Sequence, residues 1–193
     1  MADAGEAARV VEGALDDAVA LNRKVRALDL TPVVKAAEAI RGACAAGGKV
    51  LAFGNGGSAA DAQHLAAELV GRFERDRPGL AAVSLSSDTS VLTSVANDNG
   101  FARVFARQIE ALGRAGDVAF AISTSGESAN VVEGIRAASA RGLRTIALTG
   151  RTGGSLAAAV EIHINVPDDS AARVQEVHIT LIHAICRLVE GVK

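Results

Sequence analysis

A chain of 193 residues has room for one full hydrophobic core and not for two independent ones. Hydrophobic residues make up 49%, yet tryptophan and tyrosine are absent and phenylalanines number five, so that core is built from alanine and branched aliphatics. Twenty Lys and Arg against 22 Asp and Glu leave a formal charge of −2, which excludes a global basic field for nucleic acid or an anionic membrane but leaves room for a local anion site.

From about residue 5 to 46 the apolar residues recur at three and four. EAARVVEGALDDAVALNRKVRAL reads as one helix. TPVVKAAEAIRGACAAGG reads as a second, with Thr31 as N-cap, Pro32 at the first helical position and Gly47 at the stop. The opening residues MADAGEAARVVEG carry acidic groups and no sustained apolar stretch, so they read as neither a signal peptide nor a transmembrane segment, and a cytoplasmic setting is expected. The apolar stripe of the first helix exceeds what one sheet layer covers, which points to a partner subunit. Cys44 and Cys186 lack metal-ligand spacing and read as small buried apolar residues in a reducing compartment.

The period then changes. KVLAFGN (49–55), LAAVSL (80–85), DVAFAIS (117–123), RTIALTG (144–150) and EIHINVP (161–167) are short apolar runs bounded by glycine, serine or proline, and they read as strands. Helical stretches at about 57–74, 101–113, 128–142 and 169–190 separate them. This alternation predicts an α/β fold whose parallel sheet is covered on both faces. With no repeat and no long linker, the expectation is one domain over 1–193, comprising a helical extension (1–47) and an α/β core (48–193). Ligands of such sheets bind at the carboxyl ends of the strands, so the loops after the strands carry the functional reading.

The first such loop is GNGGS, Gly54 to Ser58. Its glycines permit positive φ and close backbone approach, and the amides opening the next helix favour an anion. It lacks both the P-loop lysine and dinucleotide spacing, and Ser58 is alternatively a simple helix cap. The loop AISTSGES places Ser123, Thr124, Ser125 and Ser128 around Gly126 at a second strand end, more hydroxyls than capping uses and enough to hold a phosphate dianion without a cation. Between the two loops, SSDTS opens a short helix and ANDNG closes it. Asn97 and Asp98 read equally as polyol contacts and as a helix stop.

In QHLAAELV, His64 and Glu68 stand four apart on one helical face, a spacing that suits two ligands of one metal, a base with its orienting partner, or a surface pair. In ARVQEVHITLIHAICRLVE, His183 lies among apolar neighbours. Gln175 is offset from it by about 80° at 100° per residue, and Glu176 aligns with it better. His163 and His178 read as structural.

GNGGSAADAQHLAAELVGRF, DTSVLTSVANDNG, RQIEALGRAGDVAFAISTSGES and RVQEVHITLIHAICRLVE, in this order and spacing, resemble the phosphoheptose isomerase family of the sugar isomerase (SIS) superfamily from about residue 30 to 190. The resemblance implies a five-stranded parallel sheet flanked by helices, a flavodoxin-like three-layer sandwich with an N-terminal helical extension. It also implies a cytoplasmic homotetramer with active sites at subunit interfaces, and conversion of sedoheptulose 7-phosphate to D-glycero-D-manno-heptose 7-phosphate through a cis-enediol, the first step toward nucleotide-activated heptose. Carried over residue by residue, Asn55, Gly56, Gly57, Ser58, Asn97, Asp98, Ser123, Thr124, Ser125 and Ser128 match substrate-binding positions. His64, Glu68, Gln175 and His183 match a zinc site, one Zn²⁺ per subunit, with Glu68 and Gln175 also touching substrate. Gln175 is thus selected where helical arithmetic favours Glu176. Glu68 is assigned as the base at carbon and His183 as its partner acid and base. A DnaA-binding regulator of replication initiation shares most motifs but lacks the Glu68 and His183 pair. An isomerase or sensor of another sugar phosphate is the second rival, opposed by the four-residue zinc-site set. Neither nucleic acid nor membrane is expected as a partner.

Overall fold

Strands whose residues are buried on both faces must be apolar throughout, and the five runs meet that demand in different degrees. The structure, a computed structural model, describes residues 3–191. It forms β1 (Val50–Gly54), β2 (Ala82–Ser84), β3 (Val118–Ser123), β4 (Arg144–Gly150) and β5 (Ile162–Val166), all parallel, in the order β2-β1-β3-β4-β5. β1 and β3 are buried at every position, whereas β2, at the sheet edge, leaves Val83 exposed and shrinks to three residues. The expected five-stranded sheet is present, each strand trimmed by at most three residues against its run.

Seven helices pack around it: α1 (Ala4–Arg26), α2 (Thr31–Ala45), α3 (Gly57–Val70), α4 (Thr89–Asn99), α5 (Val104–Leu112), α6 (Ala129–Ala140) and α7 (Ala171–Val189). The two-residue period of the strands sorts the core into two layers. Val50, Ala52, Phe120 and Ile122 face Ile40, Leu65, Leu69, Ile182 and Ile185 of α2, α3 and α7. Leu51, Phe53, Ala119 and Ala121 face Phe105, Ile109, Val131 and Ile135 of α5 and α6. The result is the three-layer sandwich, with α1 leaning on α7 through Leu21 and Val25 while Val10, Val11, Leu15 and Val19 remain exposed. No helix among the described residues is long and apolar enough to cross a membrane.

Three local expectations are corrected. Thr31 is already helical and Leu30 holds the cap position; the capping acceptor is Asp29, whose Oδ1 receives the Thr31 amide at 2.9 Å. The helix expected over 101–113 divides into a 3-10 turn at Phe101–Arg103 and α5, and Gly100 at φ +83° separates this pair from α4. The helix expected to reach residue 74 stops at Val70, since the amides of Phe73, Glu74 and Arg75 are taken by the carboxylate of Glu190 instead of by α3 carbonyls. Gly47 does end α2, at φ +80°. Both cysteines are free thiols, Cys186 buried and Cys44 half-buried.

His163 and His178 are structural, as expected. Both serve Thr149 on β4: His163 Nε2 lies 2.7 Å from its hydroxyl, which donates to Asn165, and His178 Nε2 donates to its carbonyl at 2.9 Å. His178 is fully buried and its Nδ1 has no partner, so burial pushes its pKa down from 6.5 to about 4 against the opposing pull of the carbonyl. A histidine whose folded pKa lies below its unfolded value stabilises the fold fully above about pH 6.5 and loses that contribution as pH falls toward 4, on the order of 3 kcal/mol in all. Thermal unfolding from pH 7 to 4.5 should therefore show a steep fall in midpoint for the unmodified protein and a shallower one for His178→Gln; parallel slopes would refute the assignment.

Candidate active site

β1 and β3 are neighbours in the sheet, yet α3 leaves β1 toward one face and α6 leaves β3 toward the other. Their diverging first turns open a crevice at the carboxyl ends of the strands, the topological switch point of the sheet. Both hydroxyl- and glycine-rich loops lie there.

The β1 loop is only Asn55 and Gly56, the latter at φ +57°. Gly56 occupies the cap position, and Ser58 lies inside the first turn at 3% exposure, so the reading of Ser58 as cap is corrected and little of its surface is left for a ligand. Gly57 has a different reason to be glycine: a Cβ there would stand 2.6 Å from the carboxamide oxygen of Gln175, which reaches across from α7. Asn55 exchanges two side-chain hydrogen bonds with Asn130 on α6, at 2.9 and 2.8 Å. This reciprocal amide pair bridges the crevice, and Asn130, 3% exposed, is a residue the motifs did not single out.

The β3 loop folds around one hydroxyl. Ser123 Oγ accepts the amide of Gly126 at 3.2 Å and lies 3.4 and 3.3 Å from the hydroxyls of Ser125 and Ser128. Ser128 holds the cap position of α6 without a side-chain cap bond, and Thr124 is half-buried beside it. Gly126, at φ +69°, is pressed so closely on the chain that a Cβ would come within 2.0 Å of the Gly153 carbonyl oxygen. Glu127 completes the brace by accepting both the amide (2.7 Å) and the hydroxyl (2.6 Å) of Ser155. The loop is a shaped cup of hydroxyls at a helix start, with no lysine or arginine within its own span.

Further along, α3 and α7 bring three donors together. His64 Nε2 lies 3.1 Å from Glu68 Oε1 and 3.0 Å from His183 Nε2, and one ligand atom from each of the three falls within 4.8 Å of the others. A single proton on His64 Nε2 cannot serve both neighbours well, whereas a shared cation can. Donors around a tetrahedral zinc at about 2.1 Å stand roughly 3.4 Å apart, close to this spacing, and two imidazoles with a carboxylate suit that ion. Glu176, favoured over Gln175 by helical arithmetic, instead pairs with Arg173 at 2.7 Å. Asp61, one turn before His64, was not marked by any motif. It is half-buried with Oδ2 unpartnered, and burial lifts its pKa to about 6 although His64 pulls it down.

Asn97 and Asp98 are not drawn into this cluster. They sit exposed on the last turn of α4, where Asn97 Nδ2 donates to Asp98 Oδ1 at 2.8 Å, and among the described residues no hydrogen bond ties either to the two loops.

The model of the SIS domain matches residues 15–150 of this chain. The phosphoheptose isomerase of Methylibium petroleiphilum is 55% identical over 162 residues, 82% of this chain and 81% of that protein. The solved structure of phosphoheptose isomerase GmhA from Neisseria gonorrhoeae superposes with a TM-score of 0.90 at 47% identity, covering 95% of this chain and 98% of that one. A phosphoheptose isomerase from Francisella tularensis gives a TM-score of 0.92 at 32% identity over 96% and 99% of the two chains.

Replacing Asn130 with alanine strands the Asn55 amide in a half-buried site. Chemical denaturation should register a loss of about 1–3 kcal/mol, and a change within error of zero would mean the bridge contributes nothing.

Proposed function

This chain belongs to the phosphoheptose isomerase family of SIS-domain proteins, and we propose that it interconverts sedoheptulose 7-phosphate and D-glycero-D-manno-heptose 7-phosphate through a cis-enediol. The observation that carries the reading is the meeting of His64, Glu68 and His183 on α3 and α7, with α3 starting from the crevice that also holds the hydroxyl cup. A DnaA-binding regulator has no use for that acid–base cluster, and nothing in the fold favours it.

In this reading the hydroxyls of Ser123, Thr124, Ser125 and Ser128 and the first amides of α6 take the phosphate, whose charge is met by dipoles without a cation. Asn55 and the Gly56–Gly57 backbone close over the chain of the sugar, and Gln175, already against Gly57, touches it from α7. The carboxylate of Glu68 removes a proton from C1 of the ketose while His183 protonates the C2 oxygen, giving the enediol. His183 then accepts the proton of the C1 hydroxyl as the C1 carbonyl forms, and Glu68 returns its proton to C2. Each proton is conserved, so no redox partner is needed.

His64, Glu68 and His183 suit one Zn²⁺ per subunit, and Gln175, whose carboxamide lies against Gly57, would swing from there to complete the set of four. When bound, the ion supplies Lewis-acid polarisation of the sugar oxygens and fixes the side chains around it. A homotetramer with interface sites is supported by the exposed Val10, Val11, Leu15 and Val19 on α1. A groove of about 590 Å³ lined by Leu15, Val19, Leu30 and Leu181 supports it further. A neighbouring subunit would also give Asn97 and Asp98 a site to complete. The two free thiols and the phosphorylated substrate suit a cytoplasmic setting.

Incubation with sedoheptulose 7-phosphate, followed by NMR, should reveal a new aldose phosphate, and Glu68→Gln should slow its appearance by a hundredfold or more. A variant as fast as the unmodified protein would remove Glu68 from the chemistry. Elemental analysis should find zinc at about one atom per subunit and its loss from His64→Gln with the circular dichroism spectrum intact. Zinc retained in full by that variant would contradict the ligand set.

A further inference from the structure

Residues 71–81 join α3 to β2 without regular structure, and the course of their first half is governed by one carboxylate. Glu190, directly after α7, has a side chain only 2% exposed. It accepts the backbone amides of Phe73 (2.9 Å), Glu74 (2.9 Å) and Arg75 (3.0 Å) and the Nε of Arg77 (3.1 Å). Burial alone would raise its pKa, and the three amides with the guanidinium more than reverse this, holding it below the usual glutamate range. A carboxylate at a helix C-terminus faces the negative end of the dipole, so its place there depends on these donors.

The same guanidinium reaches the other half of the site. Arg77 Nη1 donates to the carbonyl of Leu69 (2.9 Å), which also accepts the Leu80 amide, and Nη2 to that of Glu68 (2.8 Å), capping the end of α3. Arg77 thereby links the end of α7 to the turn that carries Glu68. With the strap so pinned, the ring of Phe73 stacks on the imidazole of His183, centroids 5.3 Å apart and planes 24° from parallel. His64 lies against the same imidazole at 5.0 Å, tilted by 55°. The imidazole thus has two ring neighbours, and one of them contains no polar atom.

We infer that Phe73 is a positioning residue for His183, and that the clamp of Glu190 and Arg77 exists to hold it there. The inference rests on the isomerase reading for its consequence in catalysis. An unrestrained imidazole turns about its χ2, and its Nε2 would leave its place in the cluster, 3.0 Å from His64 Nε2. Phe73 contributes no donor, acceptor or charge. Its effect is confined to how often His183 is in place.

The test compares Phe73→Leu, which keeps apolar bulk, with Phe73→Tyr, which keeps the ring, in the zinc-loaded full-length protein. Phe73→Leu should lower kcat about tenfold with KM within about twofold, and Phe73→Tyr should restore kcat. The chain has four histidines, so ¹³C-labelled imidazoles give a spectrum that single substitutions can assign. In that spectrum the His183 ring proton should lose its upfield ring-current displacement in Phe73→Leu and keep it in Phe73→Tyr, while His163 and His178 stay in place. Glu190→Gln, which frees the strap without touching the ring, should move kcat and the His183 resonance in the same direction, and it decides the matter if Phe73→Leu does not fold. A Phe73→Leu enzyme with unchanged kcat, a loss confined to KM, or an unmoved His183 resonance would overturn the inference. If the unmodified protein forms no aldose phosphate, the isomerase reading fails by itself, and the resonance alone then decides whether Phe73 holds His183.

Discussion

Neighbouring strands β1 and β3 send their helices to opposite faces of the sheet, and the functional groups are arranged around the gap that this divergence opens. A gap between two helix starts exposes unsatisfied amides, so the chain must either fill it or use it. The reciprocal amides of Asn55 and Asn130 do part of the filling, spanning the crevice with two bonds of 2.8–2.9 Å. What remains is a set of hydroxyls and helix-start amides, dipoles of the kind that suit an anion, in a loop whose own span carries no lysine or arginine. The near-neutral charge of the whole chain is consistent with that economy.

Tight turns set how closely the walls approach. Gly57 admits the carboxamide of Gln175, and Gly126 admits the carbonyl of Gly153, each at a distance that a methyl group would forbid. Through these contacts the serine loop is welded to the loop after β4, and α7 is drawn against the start of α3. The cluster of His64, Glu68 and His183 follows from the contact of Gln175 with Gly57. Once α7 meets α3 along its length, His183 falls opposite His64, two turns after Gln175 meets Gly57.

Side chains gathered in such a cluster need support from groups outside it. A chain so poor in aromatics still spends one of its five phenylalanines beside His183, and it spends a buried carboxylate on holding the strap that bears it. The exposed aliphatics of α1, which leans on the same α7, have no cover among the described residues.

By itself the sequence determined the alternation of strands and helices, and with it the parallel sheet, because a two-residue and a 3.6-residue apolar period are local properties. It also showed the hydroxyl cup and the His64 and Glu68 pair, since both lie within a few residues along one loop or one helical face. Element ends were less legible. α3 stops at Val70 because Glu190, more than a hundred residues later, takes the next amides, and no local propensity encodes that. The choice between Gln175 and Glu176 had the same character. A helical wheel gives a direction around one axis, whereas the crossing of α7 over α3 decides which neighbour stands in that direction. Only the tertiary structure turned Glu176 to Arg173 and Gln175 to Gly57, paired Asn55 with Asn130, and laid Phe73 on His183. Each of these joins segments distant in sequence, and packing settles such contacts only when the whole core closes.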